Sequence, residues 1–187
     1  MRADRQARLL ALARAALHPH ALPPTLDATT PGWLTEPGAS FVTLTLGGAL
    51  RGCIGSIEAT RALALDVHHN AIAAASRDPR FPPLDRDEVG AVRVEVSVLS
   101  ALEPLAACDV DSLLGLIRPM VDGILIDDGA RRATFLPQVW SVLPEPRMFL
   151  RRLGEKAGLA PGVWPASLRV WRYTVTKCVE TRPGDAA

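Results

Sequence analysis

Phe41-Val42-Thr43-Leu44-Thr45-Leu46-Gly47-Gly48-Ala49-Leu50-Arg51-Gly52-Cys53-Ile54-Gly55-Ser56-Ile57 reads as two strands folded back on each other. Gly47-Gly48 supplies the two positive φ angles that a two-residue hairpin turn requires. Regular pairing through that turn would set Cys53 opposite Val42, on the face shared with Leu44. Downstream, Leu63, Val67, Ala71 and Ala74 recur at helical spacing, predicting a helix over 61–76. It stops at Arg77-Asp78-Pro79-Arg80-Phe81-Pro82-Pro83-Leu84, where three prolines fix an extended path. Val92, Val94, Val96 and Val98 then alternate with Arg93, Glu95 and Ser97, the pattern of a half-buried strand. Asp128-Gly129 marks a second hairpin between 123–127 and 130–136. A helix is predicted over 146–157, with Pro146 in its first turn and Gly158 past its end. A last strand is expected over 168–180. Hairpins with helices inserted between them give an α+β domain, an antiparallel sheet with helices packed on it, not a doubly wound parallel fold.

Upstream of the hairpin, Met1 to Leu17 carries Leu9, Leu10, Ala13, Ala16 and Leu17 at helical spacing, which fits a packing helix better than a targeting segment. Five prolines between Pro19 and Gly38 predict an irregular strap there. A chain of 187 residues makes one large domain, or a main domain with a small satellite. Its residues are 48% hydrophobic but only 5% aromatic, so the core must be built from Leu, Val, Ile and Ala. The net charge of +1 does not favour nucleic-acid binding unless charge is segregated, and the nearest cluster is Arg147, Arg151 and Arg152. No apolar run approaches the roughly 18 residues of a membrane helix. Cys53, Cys108 and Cys178 include no Cys-x-x-Cys pair, which points to free thiols in a reducing, cytoplasmic setting.

Cys53 is the first candidate for chemistry. A thiol reacts as thiolate, which positive charge or backbone amides favour. Arg51 lies two residues away, and Gly52 and Gly55 permit close approach of a ligand or another chain. The competing reading places Cys53 in the core, where free cysteines are common. Asn70 falls on the apolar stripe of its helix and needs a polar partner. Asp78 and Arg80 sit on stiff backbone as ligand contacts or loop braces; Glu95 is a plausible general base, and Gln138 a further polar group in a rigid setting. Adjacent His68 and His69 diverge by about 100° on a helix. His18-Pro19-His20 lacks further ligands, and no metal or cofactor is expected. No phosphate loop, Rossmann glycine pattern, Gly-x-Ser-x-Gly or zinc signature is present.

Leu50-Arg51-Gly52-Cys53-Ile54-Gly55, followed by Asp78-Pro79-Arg80-Phe81-Pro82-Pro83-Leu84 and Glu95-Val96-Ser97-Val98-Leu99, resembles the AMMECR domain family. Its bacterial and archaeal members are called AmmeMemoRadiSam system protein A. Phe41-Val42-Thr43-Leu44, Thr134-Phe135-Leu136-Pro137-Gln138-Val139-Trp140 and Lys156-Ala157-Gly158-Leu159 match in the same order. The resemblance runs from about residue 5 to 180 and implies one AMMECR domain over 1–187, with a larger and a smaller subdomain. It also implies a modification pathway shared with Memo-type and radical SAM proteins. Under one reading Cys53 is the nucleophile, Arg51 an anion anchor, and Asp78, Arg80 and Glu95 position a small-molecule or nucleotide substrate. Under another the chain is an adaptor that docks partners through 77–84 and 136–140; RNA binding is a third, by fold analogy alone. Gly154 departs from the family, where cysteine or a charged residue is common.

Overall fold

The computed structural model describes residues 3–18, 20–106, 109–160, 163–165 and 167–181; Pro19 and Cys108 lie outside them. The chain forms two compact units, one from 1–99 with 176–187, the other from 100–175. The first holds α1 (Ala3–Ala16), α2 (Gly32–Thr35), β1 (Pro37–Gly38), β2 (Ser40–Leu46), β3 (Ala49–Gly55), β4 (Arg61–Ala62), α3 (Leu63–Ser76), α4 (Arg86–Val89) and β5 (Arg93–Leu99). The second holds β6 (Glu103–Leu105), α5 (Val110–Leu114), β7 (Gly123–Asp127), β8 (Arg132–Phe135), a 3-10 turn (Pro137–Ser141), α6 (Pro146–Lys156) and β9 (Arg169–Tyr173). The chain then returns to the first unit with β10 (Val175–Val179). The fold class is α+β: the pairings of the hairpins and their neighbours are antiparallel, with helices packed on the sheets.

In the first unit the strand order is β10-β5-β2-β3. Val42, Leu44, Val94 and Val96 point to one face and are fully buried against Leu9 and Ala13 of α1 and Val67, Ala71 and Ala74 of α3. Each such side chain removed from water stabilises the fold by about 1.5–3 kcal/mol. Arg14 of α1 pins the layer by donating to the carbonyls of Val89 (2.7 Å) and Val92 (2.8 Å) and pairing with Glu180. The expected strap is partly ordered: α2 occupies part of it, and β1 pairs with β4.

The hairpin turn at Gly47-Gly48 is as expected, with φ of 57° and 84°. Beyond it the pairing differs. A bulge shifts the register, so Thr45 faces Leu50 but Leu44 faces Gly52, leaving Arg51 as the extra residue. Cys53 therefore pairs with Thr43, not Val42, and one inserted residue turns every later side chain of β3 to the opposite face.

In the second unit the order is β6-β9-β7-β8. The second hairpin closes through four residues, not two. Asp128 accepts from the amides of Ala130 (3.0 Å) and Arg131 (2.7 Å), and Gly129 takes a φ of 90°. The single strand expected over 168–180 is two, β9 and β10, broken at Thr174 and belonging to separate sheets. The core stacks Trp140 on Phe149 (centroids 3.7 Å apart), with the Trp140 indole donating to the Asp122 carbonyl at 2.7 Å.

Tyr173 crosses this core beside Gly123, where an added Cβ would meet its ring at 2.5 Å. The Tyr173 and Thr134 hydroxyls lie 2.6 Å apart and share two carbonyl acceptors, Ile124 at 2.8 Å from Thr134 and Phe135 at 3.2 Å from Tyr173. Burial pushes the Tyr173 phenol up to about 12. It is the sole tyrosine in the chain, so absorbance at about 295 nm should titrate with a midpoint near 12 in the folded protein and about 10 in urea. A folded-state value raised above the unfolded one means that this contribution to stability is intact below about pH 10 and lost as pH rises through about 12. A folded-state midpoint near 10 would contradict the buried phenol.

Candidate functional site

Alternation along β2, β5 and β10 sends Thr43, Glu95 and Lys177 to the face away from α1 and α3. The bulge sends Cys53 there too. Thr43 pairs in register with Cys53 on one side and Glu95 on the other. Its hydroxyl donates to Cys53 Sγ at 3.3 Å, and Glu95 meets Lys177 Nζ at 3.0 Å. A thiol, a hydroxyl, a carboxylate and an ammonium thus stand in a row across four strands. Cys53 is half-buried, while Cys178 on the opposite face is sealed in the core.

β3 is an edge strand, and the proline loop after α3 occupies its free edge at Cys53. The Cys53 amide donates to Asp78 Oδ2 (2.8 Å), and its carbonyl accepts from Arg80 Nη2 (3.3 Å). Arg80 also holds Asp78 through Nη2 (2.6 Å) and Nε (2.9 Å). One carboxylate and one guanidinium replace the missing neighbouring strand. The Arg80 guanidinium, then the Cys53 amide, hold the Asp78 carboxyl far below the usual carboxylate range. Asp78 in turn, with a smaller contribution from Cys53, raises Arg80.

Arg51, expected beside the thiol, is drawn elsewhere by the bulge. It donates to Glu88 at 2.9 and 2.7 Å and to the carbonyls of Pro82 (2.8 Å) and Pro83 (3.1 Å). Gly52 is required by packing, since a Cβ there would lie 2.1 Å from the Ala74 carbonyl oxygen of α3. Gly55 makes room for the Phe41 ring, 2.2 Å from its would-be Cβ. Both glycines permit close approach, and what approaches is this chain itself.

Asn70 is buried in a polar network centred on Asp66. Its amide donates to Asp66 Oδ2 (2.9 Å), the Ser40 carbonyl (2.9 Å) and Ser56 Oγ (3.2 Å). Asp66, fully buried, also accepts from the Ser40 amide (2.8 Å) and hydroxyl (2.7 Å), from Ser56 Oγ (2.8 Å) and from Arg61 at 3.3 Å. His68 is buried as well, and burial followed by the charge of His69 lowers its pKa. Gln138 belongs to the second unit, exposed in the 3-10 turn. Among the described residues no three His, Cys, Asp or Glu side chains are placed to hold a metal, and no helix is long and apolar enough to cross a membrane.

Thr43, Lys177, Asp66, Ser40 and Ser56 were not singled out by sequence reasoning. Lys177 was legible in principle, as a charge on the outer face of an alternating strand. Asp66 was not, because a helical carboxylate ordinarily faces water.

The family model AMMECR1 matches residues 10–178, which include Thr43, Cys53, Glu95 and Lys177. The chain belongs to the AMMECR1 family. A protein of Thermofilum pendens is 37% identical over 98% of this chain and 93% of its own length. One from Methanothermobacter thermautotrophicus is 42% identical over 71% of this chain and 70% of its own. The crystal structure of an uncharacterised protein from Pyrococcus horikoshii superposes with a TM-score of 0.83, at 30% identity, over 95% of this chain and 92% of that one. This AMMECR1 chain thus spans nearly the full length of two of those relatives.

Proposed function

We propose that this AMMECR1-family protein is a thiol-centred enzyme or accessory component in a modification pathway with Memo-type and radical SAM proteins. The pathway rests on the family resemblance. The thiol rests on one observation: the bulge at Arg51 lifts Cys53 out of the core and sets its sulfur in register with Thr43, Glu95 and Lys177. The clasp of Asp78 and Arg80 fixes the Cys53 backbone, which is how a reacting group is held without cost at the moment of reaction. The Cys53 thiol adds across a substrate carbonyl: sulfur bonds to the carbon, the C=O π pair moves to oxygen, and the thiol proton ends on that oxygen. Glu95, one strand beyond Thr43, orients Lys177 at 3.0 Å, and Lys177 holds an anionic group of the substrate. Arg51, Asp78, Arg80 and the two glycines position these groups rather than touch the substrate; Asn70 braces α3 against β2.

Labelling with iodoacetamide, read by peptide mass mapping, tests this reading. Cys53 should be modified in the folded protein and Cys178 only after unfolding. Thr43→Val and Lys177→Met should slow the Cys53 rate several-fold without moving the thermal midpoint. A Cys53 that stays unmodified until the chain unfolds would sink the proposal and leave the adaptor reading in its place.

A further inference from the structure

Gly154 lies buried in α6, yet nothing around it demands glycine. An added Cβ would meet only Leu159, at 3.6 and 3.9 Å, which are ordinary contacts. Glycine at an interior helix position costs about 1 kcal/mol relative to alanine. Gly154 also borders a cavity of about 310 Å³, walled by Val110, Leu150, Val163 and the Trp164 indole. Pockets for small molecules begin at about this size, mostly apolar with a few placed polar groups.

Here the polar groups are cationic. Arg147 and Arg151 line the cavity together with Glu155. The Glu155 carboxylate is engaged by Arg152 at 2.8 Å and by Arg151 at 3.7 Å. Arg147 holds Asp111 at 2.5 Å, with 64% and 75% of the two side chains exposed. So exposed a pair is worth little, and a guanidinium exchanges it readily for an acid group that it can grip through two parallel hydrogen bonds.

We propose that this cavity binds a small aromatic anion, its ring against Trp164 and over the bare backbone of Gly154, its acid group on Arg147. The site involves none of the groups in the thiol row, so either proposal can fail without the other.

The test is titration of the full chain with 2-naphthoate, followed by calorimetry and by amide NMR. Saturable binding should shift the Gly154 amide. Arg147→Gln should weaken binding about tenfold, as should replacing the acid by neutral 2-naphthalenemethanol. Gly154→Leu should abolish binding while leaving the thermal midpoint unchanged or higher, because a good helix former replaces a poor one. Should Gly154→Leu not fold, Trp164→Ala, at a partly exposed position, is expected to weaken binding in the same titration. No saturation by 2-naphthoate, equal binding by the Gly154→Leu and parent proteins, undiminished binding by a Trp164→Ala variant, or shifts that spare the Gly154 amide would each overturn the proposal.

Discussion

Gly52→Ala is expected to destabilise the first unit by about 3 kcal/mol, at the upper end of the usual cost of overpacking. The obstacle is the Ala74 carbonyl oxygen, 2.1 Å from where the methyl carbon would sit, and Ala74 belongs to the backbone of α3. A side chain could rotate away, but a helix backbone must move as a body. Moving it would open the seam where Val67, Ala71 and Ala74 pack on Val42 and Leu44. The midpoint of urea unfolding reads the effect. Gly32→Ala, where a Cβ meets nothing within 4 Å, is the control and should stay within about 0.5 kcal/mol of the parent. A Gly52→Ala protein as stable as that control would mean that α3 does not sit on β3 as described.

Asp66→Ala should cost about 3–5 kcal/mol, the range for removing one partner from a buried charged network. The loss strands donors of three residues at once: Asn70, Ser40 and Ser56 all point at this carboxylate, and Arg61 loses its counter-charge. Asp66→Asn separates charge from hydrogen bonding. It keeps the shape and one acceptor oxygen but turns an NH₂ group toward donors, so it should recover less than half of the loss. Thermal unfolding of both variants decides the matter, and a drop under about 1 kcal/mol for alanine would show that water can replace the carboxylate.

The architecture was legible wherever a short signal decides it. Gly47-Gly48 fixes a turn by its φ angles alone, the valines of β5 fix a face by alternation, and Pro146 and Gly158 bracket α6. What escaped depends on partners distant in the chain. The bulge at Arg51 has no local signature, because its residue is drawn to Glu88 and to two proline carbonyls about thirty residues away. Without that shift Cys53 would have faced the core. The break at Thr174 was likewise hidden: the alternation of Leu168 to Glu180 runs on unbroken, and only the identity of the neighbouring strands separates β9 from β10. Cys53, Glu95, Asp78 and Arg80 stand out in the sequence because a thiol flanked by glycines, a carboxylate on an alternating strand and charges on proline-stiffened backbone are conspicuous there. Which face each side chain takes, and what it pairs with, depends on three-dimensional register.

The first sheet takes its last strand from a part of the chain made after the whole second unit. On the ribosome, Lys177 and Cys178 emerge only once 100–175 have been synthesised, so β5 waits with one edge bare through that interval. Residues 100–175 can complete their own core meanwhile, and the thiol row is assembled last. A nascent protein stalled before Thr176 would carry Cys53, Thr43 and Glu95 but not Lys177.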